Sequence, residues 1–559
     1  MVLFNGRGKS CTTPVAGTAK DAEDMRRMNK LQELNRVYTT ITLAGYSVIL
    51  GLTWPFSLLS VPSWSSRAKE KDTIWADQFV LLIVPNSTAA LSLTNGGPAG
   101  AVWVYVGVCV GMFTVVLSMA EMASLEPAAG GQYHWVAVFA PAKWRKLASY
   151  IVGWMCALGW QAAVPAPANV GGATIQAFAV VASPAYNPKP WHVVTLTIAI
   201  CTLAVVFNTF CARKMPGIEG VVFALYILEF FAIFIILLVM GDRSSAREVF
   251  TVFQDNAGWG SVGTACFVGA SGPVITMIGA DSAVHLAEEL KDASRHLPRA
   301  MMITASVNYL VGFMILLAAM FVVGNVKEVL ETPTGAPWVQ ILLNATQDRK
   351  PVLVLMAFII FFLLFCAINA NTTSSRQLYA FARDGGLPYS EWISRVSPHK
   401  HVPANAVFLT WFIGCCIALI PLGSTEAFLN IQTIAISALL ASYIVAIICR
   451  IHNRNYGSIY GNLSKPPPFF LGKIGGNVIN ILALMFLVCF LVAAVFPIEP
   501  HPTVQSMNWS SLALGSTLII ALVGWVVRGQ KYLGPDVVVP VDDSNIVVAE
   551  PKYNKELAA

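Results

Sequence analysis

The chain has 559 residues, of which 56% are hydrophobic and only 12% are charged. A soluble domain carries roughly 25% charged residues, so a water-soluble globule is excluded. The net charge of +6 does not point to nucleic acid, because Lys and Arg are spread between apolar blocks. The eleven cysteines form no CxxC pair, so neither a disulfide framework nor a zinc site is indicated.

Residues 1–37 are polar and hold no apolar stretch before a small-residue cleavage site. No cleavable signal peptide is expected, and the segment reads as a cytosolic tail. Twelve apolar spans follow, at 38–60, 98–123, 147–180, 191–210, 218–241, 262–286, 300–324, 351–375, 404–422, 427–449, 475–497 and 509–528. Most match a hydrocarbon core of about 30 Å in length. Each is predicted to be helical, because lipid offers no partner to an open backbone. A barrel is excluded, since barrel strands alternate in polarity and these spans do not. The fold class is an all-α membrane protein, with a transporter domain over 38–528 and a second cytosolic tail at 529–559.

One stretch does not fit. Residues 61–86 follow span 1 with Arg67, Lys69, Glu70, Lys71, Asp72 and Asp77. They read as an anomalous insertion, either a genuine outward loop or translated intron sequence, and the second reading is preferred.

Orientation follows the cytosolic excess of Lys and Arg. With the N-terminus inside, the inward segments hold Arg26, Arg27, Lys143, Arg145, Lys146, Arg213, Lys214, Lys291, Arg295, Arg299, Arg376, Arg383, Arg450 and Arg454. The outward loops, the anomalous stretch 61–86 aside, hold few: Lys189, Arg243, Arg247, Lys327, Arg349 and Lys350. Both tails are therefore expected in the cytosol. Sequons at Asn344 and Asn508 fall in outward loops.

Two spans carry glycine and proline in mid-course. Span 1 reads Gly45-Tyr46-Ser47-Val48-Ile49-Leu50-Gly51-Leu52-Thr53-Trp54-Pro55, and span 6 holds Gly269, Gly272, Pro273 and Gly279. Such residues weaken a helix. Ordinary glycine packing between membrane helices is the plainer explanation. The five-span separation favours a transporter built from five-plus-five inverted repeats, whose broken helices meet at the solute site.

Ionisable groups within spans are functional candidates. Glu229 lies midway along span 5, Asp281 follows the span 6 glycines, and Glu121 stands near the inner end of span 2. A carboxyl in low dielectric has its pKa raised and can exchange a proton near neutrality. Glu229 is the preferred proton carrier on burial alone. A paired structural glutamate is the alternative. Asp281 is expected to organise the break or sense protonation. Glu121, Glu288 and Glu289 are expected near water, as gate contacts or solvated groups.

Three motifs carry a family resemblance. The run Ala120–Ser124 followed by Pro127–Trp135, the run Gly279–Glu289 followed by Pro298–Ala300, and Ser375–Pro388 resemble the amino acid–polyamine–organocation superfamily. Their combination is similar to its fungal GABA, choline and amino-acid permeases. The resemblance spans roughly 38–528 and implies a LeuT-type fold with discontinuous helices 1 and 6, alternating access, and coupling to protons. It places solute contacts on Gly51, Leu52, Thr53 and Trp54 of span 1, and on Val274, Ile275, Thr276 and Gly279 of span 6. Ile275 stands where related permeases hold an aromatic, which would move the covering contact to Trp54 or Trp160.

The solute expected is a small amine-bearing molecule, an amino acid or GABA first and choline or a polyamine second. A quaternary ammonium would call for an aromatic cage, for which Trp54, Trp160 and Tyr46 are available. No cofactor and no metal are expected, and the partners are solute, protons and lipid. An enzyme is not expected, because no HExxH and no paired aspartates at one depth are present. A non-transporting nutrient sensor of the same fold is the alternative from another class. The plasma membrane is the expected location, with the vacuolar membrane second.

Overall fold

The computed structural model describes residues 17–59, 92, 95–183, 185–241, 243–324, 336–457, 466–497, 500–503 and 507–535. The stretch 61–86 lies outside them. Among the described residues the architecture is all-α. Eleven helical stretches are long and apolar enough to cross a membrane: 97–125, 145–182, 190–210, 215–240, 262–285, 293–322, 349–383, 404–422, 427–456, 473–493 and 510–528. These are spans 2 to 12. Span 1 is not in that set; its described part is split into helices Thr40–Gly51 and Thr53–Leu59. The protein is a multi-pass membrane protein.

Burial sorts the spans into a core and a rim. In its most apolar stretch span 3 is 67% buried, whereas span 12 is 17% buried. The exposed side of the rim is apolar, with Ile474 on span 11 and Val526 on span 12. Side chains of this kind suit lipid, which needs no polar cover.

Span 3 runs longer than expected. It covers 38 residues, or about 57 Å at 1.5 Å per residue, and it bends at Val164. Pro165, which begins its second helix, has no N–H to continue the ladder, although Val164 keeps helical dihedrals.

Spans 1 and 6 break for different local reasons. In span 1 the chain turns at Leu52, a non-glycine residue with φ 43°. In span 6 the Gly269–Pro273 cluster gives only a bend, between helices Val262–Gly269 and Ser271–Met277. Pro273 sits in the first turn of its half-helix, where its missing N–H costs little. The real interruption comes later, over Ile278–Asp281, before the short helix Ser282–His285. Gly279 has φ 116° there, a conformation that side-chain-bearing residues avoid.

The two breaks lie side by side and run in opposite directions. The Thr53 hydroxyl, after the span 1 break, donates to the Thr276 carbonyl, before the span 6 break (3.1 Å). Ser282, after the span 6 break, donates to Ser47, before the span 1 break (3.1 Å). Rising numbers on one span thus meet falling numbers on the other, as inverted repeats require.

Candidate functional site: a cavity between two broken helices and the gate beneath it

A cleft of about 210 Å³ lies where the breaks meet span 7. Span 1 lines it with Ser47, Gly51 and Thr53, span 6 with Thr276 to Ala280, and span 7 with Thr304, Ala305, Asn308 and Tyr309. No charged side chain lines it. Its polarity comes from hydroxyls, one amide and the backbone groups freed by the breaks. Span 7 satisfies part of that backbone. Asn308 donates to the Val48 carbonyl (3.3 Å) and the Tyr309 hydroxyl to the Met277 carbonyl (3.1 Å). Gly51 is required by this approach, since a Cβ there would stand 2.5 Å from the Asn308 amide nitrogen.

Asp281 closes the span 6 break and is fully buried. It accepts from the Gln132 amide (2.8 Å), and its second oxygen accepts no hydrogen bond among the described residues. The His285 ring lies 3.9 Å from it. His285 Nδ1 faces the Ala129 carbonyl at 2.9 Å and so carries a hydrogen, which leaves Nε2 turned towards Asp281. Trp160 meets the same imidazole edge-on, 5.7 Å away.

Below the break the chain is closed by buried charge pairs. Arg383 makes a two-pronged contact with Glu288, at 2.6 and 2.8 Å. Arg376 donates to Glu289 (2.9 Å). The Tyr133 hydroxyl donates to Asp384 (2.9 Å), with Lys30 at 3.9 Å from the same carboxylate. Burial alone would raise the Glu288 carboxyl. The Arg383 guanidinium overrides it and holds the group down at about 2. Burial pulls the Lys30 ammonium below its ordinary range.

The N-terminal segment is part of this closure. Val37 and Tyr38 donate to the Glu289 carbonyl (2.9 and 3.0 Å). Arg36 reaches the carbonyls of Ala287 and Leu290 and pairs with Asp21 (3.2 Å). Asp21 in turn accepts from the backbone N–H of Asp292 and Ala293, where span 7 begins. A carboxylate at a helix N-terminus satisfies otherwise unpaired donors and the helix dipole.

A family model described as amino acid permease matches residues 79–522. The chain belongs to this family. Among its relatives, a Macrophomina phaseolina protein named for amino acid/polyamine transport is 32% identical over 424 residues, covering 76% of this chain and 93% of its own. The choline transporter of Saccharomyces cerevisiae is 29% identical, covering 80% of this chain and 78% of its own. Amino-acid permease 2 of Neurospora crassa is 27% identical, covering 80% and 81%. A crystal structure of a variant Eremococcus coleocola manganese transporter aligns over 87% of this chain and 95% of its own, with 14% identity and a TM-score of 0.47. The relatives named here are transporters and permeases, and the chain is a permease, not an enzyme.

The permease fold brings four of the eight expected contact residues to the cavity: Gly51, Thr53, Thr276 and Gly279. The other four lie elsewhere. Leu52 is buried as the cap that turns the chain, and Val274 is buried one helical step off the lining face. Trp54 is buried against Tyr226 and Phe230, with ring centroids 5.4 and 6.2 Å away. Ile275 is 40% exposed. Helical geometry turns successive residues by about 100°, which points Ile275 away from the face that Thr276 presents. Tyr46 is also off the cavity, its hydroxyl held by Thr373 and the Asn369 carbonyl at 2.7 Å. No aromatic cage of Tyr46, Trp54 and Trp160 surrounds this cleft.

The three carboxyls separate in the same way. Glu121 is tied to Arg450 and Arg454 and accepts from the Leu471 N–H, which joins spans 2 and 10 to the lead-in of span 11. Glu229 is 5% exposed, and neither of its oxygens accepts a hydrogen bond among the described residues. The pairing with another helix that would make it structural is not seen there. Sequence reasoning missed span 7 as a wall of the site. The signal was present in Asn308-Tyr309, two polar residues in the middle of an apolar span.

Proposed function

We propose that this permease is a secondary active transporter that moves a small amine-bearing solute, an amino acid or GABA, by alternating access, driven by protons. The observation that carries the reading is the antiparallel pairing of the two breaks around an uncharged polar cleft. Freed carbonyls there suit an ammonium group, and freed N–H groups suit a carboxylate. A zwitterion needs both. Choline or a polyamine is the second reading, favoured by the names of two relatives.

Glu229 is the proton carrier in this account. An ionised carboxylate with no partner in an apolar setting is costly, so the closed form holds it as the acid. Asp281, facing His285, organises the break or senses protonation. Both termini in the cytosol follow from the placement of Lys and Arg, and the plasma membrane is the location proposed.

The test is uptake of radiolabelled GABA, choline and a mixed amino-acid panel in a deletion strain, with and without a protonophore. Accumulation that collapses with the proton gradient is expected, and Glu229→Gln weakens that dependence. A variant with native pH dependence removes Glu229 from the coupling role. A native protein that moves none of the panel, yet signals in its presence, would be a sensor.

A further inference from the structure

Span 5 carries a second buried carboxyl that the account above does not use. Glu219 is fully buried, and neither of its oxygens makes a hydrogen bond among the described residues. It stands ten residues before Glu229 on the same helix, about 15 Å along the axis at 1.5 Å per residue. Between them Tyr226 points its hydroxyl at Asn308 (3.4 Å), and Asn308 lines the cleft. The two glutamates therefore bracket the level of the solute site.

We propose that Glu219 is a second proton-carrying carboxyl, on the gate side of the cleft, which releases the coupled proton when the gate opens. This rests on the proton-driven reading given above.

Three features of its surroundings support the assignment. The first is its polar neighbour, Asn369 on span 8. Asn369 donates to the Tyr46 carbonyl (3.2 Å), and its own Oδ1 accepts nothing. The second is how closely the helices approach. Gly45 of span 1 lies against span 5, where a Cβ would stand 3.0 Å from Phe223 and 3.5 Å from the Glu219 carbonyl. The backbones of spans 1 and 5 thus approach closely at the level of Glu219. The third is the route out. The Tyr46 and Tyr38 rings lie 6.0 Å apart, and the Tyr38 N–H donates to the Glu289 carbonyl of the gate pair (3.0 Å).

The groups facing Glu219 are few. Span 1 and its lead-in contribute Tyr46 and Tyr38, and span 8 contributes Cys366 and Asn369, with Arg376 and Glu289 beyond. Span 7 contributes the uncharged Asn308 near Tyr226, and helix Pro337–Thr346, also packed on span 5, has no charged residue. Among the described residues no cation is therefore in place beside Glu219 while the gate is shut. In one cycle an O–H bond forms on Glu219 as one breaks on a hydronium ion that reaches it from the open cleft. The Glu219 O–H then breaks as cytosolic water takes the proton, leaving a solvated carboxylate.

The experiment uses the full chain in two ways. Purified protein is treated with a hydrophobic carbodiimide, which modifies protonated carboxyls, and the modified peptides are mapped by mass spectrometry. Modification at Glu219 is expected at pH 6 and is expected to be lost under strongly alkaline conditions. An unmodified Glu219 at pH 6 overturns the proposal. Glu219→Gln is then reconstituted in liposomes with the panel member that the native protein accumulates. Exchange at equal pH is expected to persist, and pH-driven accumulation is expected to fall to an inside-to-outside ratio near one. Native-like accumulation by this variant overturns the proposal for Glu219 alone. A native protein indifferent to the pH gradient overturns the proton-driven reading and this inference together.

Discussion

The cleft proposed for the solute and the charge pairs proposed as its gate are made of opposite materials. The cleft is lined by hydroxyls, one amide and interrupted backbone, with no charge. The gate is a set of charge pairs, Arg383–Glu288 and Arg376–Glu289, strapped by residues 21–38. The difference reflects what each must do. A solute site has to offer hydrogen bonds that cost little to exchange, and freed backbone groups do so. A gate has to be shut or open with little between. Buried ion pairs suit that role, because losing one partner strands the other charge.

The largest expected effect comes from filling the cleft. Thr276→Trp puts an indole where the two breaks meet, and uptake is expected to disappear while surface expression stays normal. Normal uptake would take span 6 out of the solute site.

Breaking the gate ranks next. Arg383→Ala leaves Glu288 buried and unpaired, a penalty of about 3–5 kcal/mol. The closed form should lose population, and amide exchange over residues 30–38 should rise. Unchanged protection there would mean that the strap does not depend on the gate pairs.

A subtler blow falls on the cleft through Gly51→Ala. Its Cβ would crowd the Asn308 amide, which must shift by several tenths of an ångström. Overpacking of this kind costs about 1–3 kcal/mol. A raised KM with normal expression is expected, and an unchanged KM would detach Asn308 from the site.

The smallest effect sharpens the comparison by its absence. The Glu288 carboxyl is held at about 2 against an ordinary 4.5. A depressed carboxyl stabilises the closed gate above about pH 4.5, and that contribution is lost only as pH falls through about 2. Gate protection measured by exchange should therefore be flat between about pH 5 and 8. A transition in that range would assign the gate a titrating group other than Glu288.

Much of this was legible in the sequence. The twelve apolar spans correspond to the eleven crossing stretches and the split span 1, because hydropathy over about 20 residues is a strong signal in lipid. That spans 1 and 6 are broken was legible in their glycines. Where span 6 breaks was not, since Pro273 in a first helical turn imitates a breaker, while the chain actually opens at Gly279. Four of the eight expected contact residues lie off the cleft, because a motif gives a stretch, and only local backbone geometry gives a face. Span 7 and the strap at 17–38 were missed because their role comes from contacts across 250 residues or more, such as Asn308 with Val48 and Asp21 with Ala293. Glu219 was passed over because it lies one residue inside the expected start of span 5.

The most direct test of the paired breaks is a disulfide between them. Ser47 and Ser282 stand with their hydroxyl oxygens 3.1 Å apart. In the double variant Ser47→Cys, Ser282→Cys, mild oxidation is expected to join the spans and stop uptake, and reduction to restore it, with the native protein unaffected by either treatment. A pair that does not cross-link, or one that cross-links and still transports, would contradict two helices that meet at their breaks and part to let the solute through.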